Sequence, residues 1–288
     1  MTIVESNPKE GRPGSEETSG TSRDGGVMNR IAALAALDLQ ILRRDPAFLV
    51  VFTVMPILFM AFNRDVIGAA IQAAGEVPAG VDPSRVGVQF LVPGATVLFT
   101  GFLVGNVGFG VFREHGWGTW ERLRASVLTP FELMFGKAVV PALVAGTQLT
   151  VLLGGGGLLF GLRLEGSLLG YVAVAVALGL MQISLGFMLL SLCRSVMQLN
   201  ALTNAGAMLL GGLGGAITPI EFLPGWAQTI APAVPTYWAM EGFRAVTMEG
   251  GGLGDVARPV GVLMAFTLGF LAVALKRFQI EETKVSWA

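Results

Sequence analysis

The stretch REHGWGTWERLRASVLTPFELMFGK, residues 113–137, separates two long apolar runs with a cluster of charges and two tryptophans. We refer to residues 113–137 as the charged island. The 288-residue chain is 53% hydrophobic and only 14% charged, and its mean hydropathy is +0.66. A soluble domain of this size is far less apolar. The composition therefore predicts a membrane protein, in which the island connects two spans.

The remaining charges leave long gaps, each about as long as a helix needs to cross roughly 30 Å of hydrocarbon. We expect an all-α membrane protein with six transmembrane helices, at about residues 47–63, 88–109, 135–159, 168–190, 199–217 and 259–275. Residues 222–240 are also uncharged, but Pro224, Pro232 and Pro235 argue against one continuous helix there. This segment predicts a broken extracellular helical hairpin that does not cross the membrane.

The basic residues predict the orientation of the spans. With Lys9, Arg12 and Arg23 left out as too distant from a span, six spans put 11 Lys and Arg on the side of the island and five on the other side, whereas seven spans would give 10 and 6. The positive-inside rule therefore favours six spans with both termini in the cytoplasm of a plasma (inner) membrane protein. Within the spans, Gly101 with Gly105 and Gly211 with Gly215 have the spacing that lets two helices approach closely.

Residues 1–27 are polar and predict a disordered cytoplasmic tail, and residues 279–288 predict a short cytoplasmic C-terminal tail. The transmembrane domain is expected at 28–278, and both Met1 and Met28 are candidate translation starts. Apolar residues recur at helical spacing between Asn29 and Arg44, which favours an N-terminal helix lying in the membrane interface.

Several function classes are disfavoured by the sequence. A net charge of −1 argues against nucleic acid, and one Cys with one His leaves no basis for a metal site. The Gly136-Lys137 pair lacks the other residues of a phosphate loop, so we expect no nucleotide or other cofactor on this chain. No catalytic constellation is present, which predicts a non-enzyme, and His115 is expected to be solvated.

Asp, Glu, Lys and Arg are absent from the predicted spans apart from Lys137, which we expect to snorkel to the interface. This argues against an ion-coupled carrier. Polar side chains in the spans either bond neighbouring helices or contact a substrate, and the sequence leaves both roles open. The substrate-pathway candidates are Thr96, Thr100, Asn106, Gln148, Gln182, Asn200 and Asn204.

In the island, charges alternate with Trp117, Trp120 and Leu123, which predicts one short amphipathic helix at the membrane boundary. Thr129 is a plausible N-cap for the next span, with Pro130 at its first position. A solvated connecting turn is the alternative interpretation. The mixture of both charge signs with two tryptophans favours a binding surface instead.

The segment GTWERLRASVLTPFELMFGK, residues 118–137, preceded by FREHGW, residues 112–117, resembles the signature of type-2 ATP-binding-cassette (ABC) exporter permeases, especially the daunorubicin-resistance-like drug exporter branch. The resemblance implies a cytoplasmic coupling helix that docks into a separate ATPase subunit. Val127 stands where many members have Pro. The residues assigned to ATPase coupling are Arg113, Glu114, Trp117, Gly118, Thr119, Trp120, Glu121, Arg122, Leu123 and Arg124.

The segment FLPGWAQTIAPAVPTYWAMEGFRAVTMEG, residues 222–250, is similar to the broken extracellular hairpin of the same family. Its assigned residues are Leu223, Pro224, Trp226, Pro235 and Arg244. Trp226, Tyr237 and Trp238 are also typical of the aromatic belt that anchors any membrane protein.

The resemblance implies a homodimeric permease that exports an amphipathic drug or lipid-like molecule, with two copies of an ATPase subunit binding ATP and Mg²⁺. Two alternatives remain at this stage. One is a permease for a polysaccharide or lipid-linked glycan, which the presence of only two Tyr speaks mildly against. The other is a membrane sensor or assembly subunit that works with an ATPase without moving a substrate.

Overall fold

The computed structural model describes residues 21–44, 47–75, 82–125 and 129–277, and within these ranges the regular structure is helical. The α-helices are α1 Thr21–Arg44, α2 Ala47–Ala73, α3 Pro83–Phe102, α4 Val104–Gly116, α5 Trp120–Arg124, α6 Pro130–Leu149, α7 Gly155–Phe160, α8 Leu168–Leu192, α9 Val196–Leu213, α10 Gly225–Ile230, α11 Pro235–Thr247 and α12 Leu253–Arg277. Most of residues 1–27 and 279–288, the predicted tails, lie outside the described ranges.

Five helical stretches are long and apolar enough to cross a membrane: Val50–Ala73, Pro83–Gly116, Glu132–Phe160, Leu168–Leu192 and Leu253–Arg277. They correspond to the predicted first, second, third, fourth and sixth spans. The predicted fifth span coincides with α9, whose 18 residues include two Asn and one Gln, and α9 is not among the five. For the described residues the all-helical class with several helices long enough to span a membrane is confirmed, and the count of six spans stays a prediction.

The second spanning stretch is longer than predicted because its two ends are fixed by local chemistry. At its start, Asp82 accepts a hydrogen bond from the Ser84 backbone N–H at 2.9 Å, and Pro83 occupies the first turn. The helix is interrupted at Leu103 and resumes as α4, which reaches Gly116. Arg113 and Glu114 therefore belong to the end of this helix and not to a separate amphipathic one.

The third span begins as the sequence predicts. Thr129 is the N-cap of α6, its Oγ1 accepts from the Glu132 N–H at 3.2 Å, and the Glu132 carboxylate accepts from the Thr129 N–H at 2.7 Å. This capping box satisfies two backbone donors at once. Near its other end the helix passes through a π-helical turn, Thr150–Gly154, before α7.

Glycines set the closest helix contacts. A Cβ built on Gly101 would lie 3.2 Å from the Ala207 Cβ, and one on Gly105 would lie 3.3 Å from the Thr203 Oγ1, so the predicted close approach is confirmed for α3 and α4 against α9. The second predicted pair is only half right. Gly211 packs on Leu98, whereas Gly215 lies beyond the end of α9 with φ +79°.

Two hydrophobic clusters lie at different heights of the bundle. The larger one joins α3, α8, α11 and α12 around Val92, Leu178 and Phe243. The second surrounds Phe112, and Leu34 of α1 and Ala274 near the end of α12 belong to it. The middle of α1 and the end of α12 therefore lie at the end of the bundle that holds the charged island. We call this the island end.

The segment before α12 is broken, as predicted. The 3-10 turn Ile220–Phe222, α10, the 3-10 turn Ala231–Ala233 and α11 follow one another, and Pro235 starts α11 at a first-turn position. Trp238 Nε1 donates to the Pro232 carbonyl at 2.8 Å, and the Arg258 guanidinium lies 5.0 Å from the Trp238 ring centre. The first contact is internal to the broken segment, and the second joins it to α12.

We predict that Gly186→Ala lowers stability by about 1–3 kcal/mol, because the new Cβ would lie 2.6 Å from the Val104 carbonyl oxygen and neither backbone can move freely. Gly269→Ala is the matched control, since no atom lies within 4 Å of its Cβ position, and its effect should stay within about 1 kcal/mol. Thermal unfolding of both variants in detergent measures the difference. Equal midpoints would contradict the packing described here.

Candidate coupling site at the island end

The charged island folds into three pieces, not into the single short helix Trp117–Arg124 that the sequence predicted. The first is the end of α4, which stops because Gly118 adopts φ +70°, a left-handed conformation that suits glycine. Thr119 then donates its backbone N–H to the Glu114 carbonyl at 3.0 Å, and the chain turns into α5, which is the second piece. The third piece is the capped start of α6. Residues 126–128, including Val127, lie outside the described ranges.

A group of buried charges joins three helices beside this turn. Lys137 of α6 is 2% exposed, and its Nζ lies 3.0 Å from Asp38 Oδ1 of α1 and 2.8 Å from Glu114 Oε1 of α4. Arg113 Nη2 lies 3.3 Å from the same Asp38 oxygen, at the partly exposed edge. We call Asp38, Arg113, Glu114 and Lys137 the buried charge group.

The buried charge group corrects the prediction for Lys137. Lys137 does not snorkel, and the acidic side chains of Asp38 and Glu114 are buried with it. The physical reason is pairing: two carboxylates within hydrogen-bond distance offset the cost of desolvating the ammonium, and the four charges sum to zero. Snorkelling would have left both carboxylates buried without that partner.

Glu114 has no surface available for a partner protein, although the sequence assigned it to coupling. Its side chain is 5% exposed, and besides Lys137 it accepts a hydrogen bond from the Thr119 hydroxyl through Oε2. Thr119 is also the residue at which the chain turns into α5. The Glu114 carboxylate thus links the turn before α5 to α6.

Trp120 anchors α5 from the inside. Its side chain is 4% exposed within the hydrophobic cluster around Phe112, and its ring stacks on His115 with centres 4.2 Å apart. His115 Nδ1 donates to the Val111 carbonyl at 3.0 Å. The prediction of a solvated His115 is therefore wrong, because the neighbouring indole covers one face of the ring.

The outward face of the site consists of Trp117, Glu121 and Arg122. Trp117 is 62% exposed, and the Arg113 guanidinium lies 5.2 Å from its ring centre. Glu121 and Arg122 are exposed neighbours at the start of α5. We call these three residues the outward face. The side chains of Leu123 and Arg124 lie outside the described part of the chain.

The substrate-pathway candidates divide by where their polar atoms bond. Thr96 donates to the Val92 carbonyl at 2.8 Å and Thr100 to the Thr96 carbonyl at 2.6 Å, each within its own helix. Gln148 donates to the Phe52 carbonyl at 2.9 Å and joins α6 to α2. Only the Gln148 hydrogen bond joins neighbouring helices, which is the first of the two roles that the sequence left open for polar residues.

Three candidates lie around α9. Gln182 of α8 is 5% exposed and faces a cavity of about 210 Å³ between α3, α8 and α9, together with Thr203, whose Oγ1 has no hydrogen-bond partner. Asn200 and Asn204 are exposed on the opposite side of α9. The side chain of Asn106 lies outside the described part.

Of the predicted hairpin residues, Arg244 belongs to a second charged region, separate from the island. Arg244 pairs with Glu221 and, at 3.1 Å, with Glu249, whereas Pro224 caps α10 and Trp226 is 64% exposed. Leu223 is half-buried, and Pro235 is buried where α11 begins. Burial raises the pKa of the nearby Glu241 carboxyl, and the negative charges of Glu249 and Glu221 act in the same direction against the opposing effect of Arg244.

Asp38 is the site residue that sequence reasoning missed. The available signal was its position one helical turn after Leu34, on the side of α1 that packs inward, where an acid is costly without a partner. Among the described residues, no cluster of three or more His, Cys, Asp and Glu side chains is arranged to hold a metal ion.

We predict that Lys137→Met destabilises the protein by about 3–5 kcal/mol, because it leaves two buried carboxylates without their ammonium. Lys137→Met combined with Glu114→Gln should recover part of the loss, since only Asp38 then needs a cation and Arg113 remains beside it. Unfolding of the single and double variants in detergent provides a double-mutant cycle. Strictly additive effects would show that the two side chains are not coupled.

Comparison with known proteins places these features in context. The family model described as ABC-2 type transporter matches residues 29–248. The inner membrane transport permease YhhJ of Escherichia coli is 32% identical over 177 residues, which cover 60% of this chain and 46% of YhhJ. The chain thus spans about half the length of this relative.

Two relatives with resistance in their names are more distant. The linearmycin resistance permease protein LnrN of Bacillus subtilis is 24% identical over 220 residues, covering 76% of this chain and 56% of LnrN. The daunorubicin resistance ABC transporter permease protein DrrB1 of Streptomyces coeruleorubidus is 24% identical over 233 residues, covering 79% and 77%. Because the family model matches well over half of the chain, this protein belongs to the ABC-2 type transporter family.

Proposed function

We propose that this chain is the permease subunit of an ATP-driven exporter that moves an amphipathic drug or lipid-like molecule out across the plasma membrane. Family membership and the resistance permeases among its relatives support the transport role. The observation that carries the coupling mechanism is the exposed outward face, mounted on the buried charge group. In this proposal a separate ABC ATPase subunit docks there, so that ATP and Mg²⁺ are bound by the partner and this chain is not itself an enzyme.

Coupling of this kind needs a rigid connection. Moving a two-state transporter from 1:99 to 99:1 takes about 5.5 kcal/mol of differential binding, which a loosely hinged contact does not transmit. Here the path from the outward face is short: Thr119 bonds Glu114, and Glu114 bonds Lys137 of α6. The second connection is covalent, because the turn continues directly from α4. A push on α5 would therefore move the second and third spans together.

The full assembly in this proposal is a homodimer of permease chains with two ATPase subunits, with six spans per chain and both termini in the cytoplasm. The shared location of α1 and the end of α12 at the island end supports termini on one side. Docking of a cytoplasmic ATPase at that end would identify it as the cytoplasmic side.

The exposed side of α9 supports a dimer whose seam lies along this helix. Asn200 and Asn204 lie one turn apart, flanked by the exposed apolar side chains of Met197 and Met208. Carboxamides facing lipid would lose their hydrogen bonds to water, so a partner helix or a polar pathway is the more favourable neighbour. The cavity beside Gln182 and Thr203 lies on the other side of the same helix. We therefore place the seam, and the route of the substrate, along α9.

Charge reversal at the outward face should uncouple transport without unfolding the protein. We predict that Glu121→Lys and Arg122→Glu each reduce compound-stimulated ATP hydrolysis by the reconstituted complex at least about tenfold, because like charges across an interface cost several kcal/mol. Co-purification of the candidate ATPase should fall in parallel.

Arg163→Glu is the matched control, since Arg163 is exposed on the segment between α7 and α8, away from the island. Unchanged thermal midpoints in all three variants would establish that folding is intact. Normal ATPase stimulation by both outward-face variants would refute the docking site. ATPase binding without any movement of compound in vesicles would instead favour a sensor or assembly subunit.

The α9 seam can be tested by cross-linking. In a Cys193→Ser background, Asn204→Cys should form a covalent dimer with a short thiol cross-linker in membranes. Leu158→Cys serves as the control, because Leu158 is 90% exposed on α7, outside the proposed seam. Cross-linking of the Leu158 variant alone would place the seam elsewhere, and a monomeric elution profile for the native protein would argue against a dimer.

A further inference from the structure

A cavity of about 310 Å³ lies between α1, α4 and α6, directly beside the buried charge group, and it is open on one side. Its walls are almost entirely apolar, and its polar atoms are confined to one end. The apolar lining residues are Ile41, Leu42, Val107, Phe109, Val140 and Val144. At the polar end lie Asp38, Arg113 and Lys137.

Arg113 at this polar end has hydrogen-bonding capacity left over. Its Nη2 makes one contact of 3.3 Å with Asp38, its side chain is 32% exposed, and its buried Nε has no acceptor among the described residues. A guanidinium carries five N–H donors in a planar fork that matches a phosphate group. Lys137, by contrast, is already held by two carboxylates. Arg113 is therefore the group that can bind an anion at the cavity.

The charge around the opening also favours an anion. Ile41 and Leu42 of the cavity wall are followed at the end of α1 by Arg43 and Arg44, both exposed. Together with Arg113 and Lys137 they give four cations near the cavity against the two carboxylates of the buried charge group. Basic pockets between spanning helices are typical binding sites for anionic lipid headgroups.

The depth of the cavity fits a lipid chain. Its lining extends from Arg113 back to Val107 on α4 and from Lys137 to Val144 on α6, which is about 9–10 Å along each helix at 1.5 Å per residue. Water is a poor occupant of the inner part, because a water molecule needs two or more polar partners and the apolar walls offer none. Membrane phospholipid surrounds this part of the protein at the highest concentration of any amphiphile.

We propose that this cavity binds one anionic membrane phospholipid, whose phosphate contacts Arg113 and whose acyl chain fills the space between α1, α4 and α6. The lipid would complete the packing around the buried charge group and stiffen the attachment of α1 to the spans. This site differs from the proposed substrate route along α9, and the proposal does not depend on ATPase docking or on transport.

The test uses the full chain, purified and reconstituted in nanodiscs that contain phosphatidylcholine with phosphatidylglycerol. After transfer to detergent, native mass spectrometry counts the lipids retained per chain. We expect one phosphatidylglycerol to be retained in preference to phosphatidylcholine. Inorganic phosphate, added as a competitor, should not displace it, which distinguishes a lipid from a free anion.

Gly110 provides a way to fill the cavity without touching the charges. It lines the cavity, and a Cβ built on it would meet no atom within 4 Å, so Gly110→Leu should place its side chain in the space of the acyl chain. We expect this variant to lose the retained lipid. Gly146→Leu is the matched control on α6, since its Cβ position is equally open and lies outside the cavity lining, and it should retain lipid like the native chain.

Two further variants distinguish binding of the lipid headgroup from binding of the acyl chain. Arg113→Gln should weaken the preference for phosphatidylglycerol about tenfold, the scale of a hydrogen bond to a charged group, while some lipid of either kind remains bound. Val140→Phe fills the cavity from the opposite wall and replaces Gly110→Leu if that variant does not fold.

The proposal is overturned if the cavity-filling variants retain as much lipid as the native chain, or if the native chain binds both lipids equally. Displacement by inorganic phosphate would show an anion site without a lipid chain. Displacement by an exported amphipathic compound at low concentration would assign the cavity to substrate, and would equally refute a resident phospholipid.

Discussion

The ammonium of Lys137, buried between the carboxylates of Asp38 and Glu114, is the interaction on which the island end of this protein depends. Each carboxylate comes from a different helix, so a single cation fixes α1, α4 and α6 relative to one another. Because the loss of Lys137 would leave Glu114 buried without its cation and Asp38 with only the partly exposed Arg113, the arrangement tolerates little rearrangement. This makes it suitable for holding the outward face, which in the proposed exporter would transmit force from an ATPase.

The remainder of the site is built outward from this group. Thr119 bonds the same Glu114 that Lys137 bonds, and Trp120 inserts its ring beside Phe112 and against His115. The exposed residues Trp117, Glu121 and Arg122 are the neighbours of these buried anchors. In the proposed exporter, some residues of this short stretch therefore fix the turn, and their neighbours form the contact with the ATPase.

Local sequence signals predicted the parts of the fold that depend on local physics. The Thr129 and Glu132 pair with Pro130 specified where α6 begins, and the prolines at 224, 232 and 235 specified that the hairpin is broken. Gly101 and Gly105 indicated a close helix contact, although Gly215 showed that the same spacing also occurs where a helix ends. The sequence misplaced the end of the second span because the positive φ of Gly118, not the first charged residue, terminates it.

The sequence by itself determined that the chain suits a membrane, that it is helical, where most of the spans lie, and that residues 113–137 separate two of them. Long uncharged apolar runs admit few other solutions, because every backbone group must be paired within the chain. Only the tertiary structure decided which charges of the island are buried. Asp38 lies 99 residues from Lys137, and burial of an ion depends on which side chains a fold brings within 3 Å, a distance that no local spacing encodes.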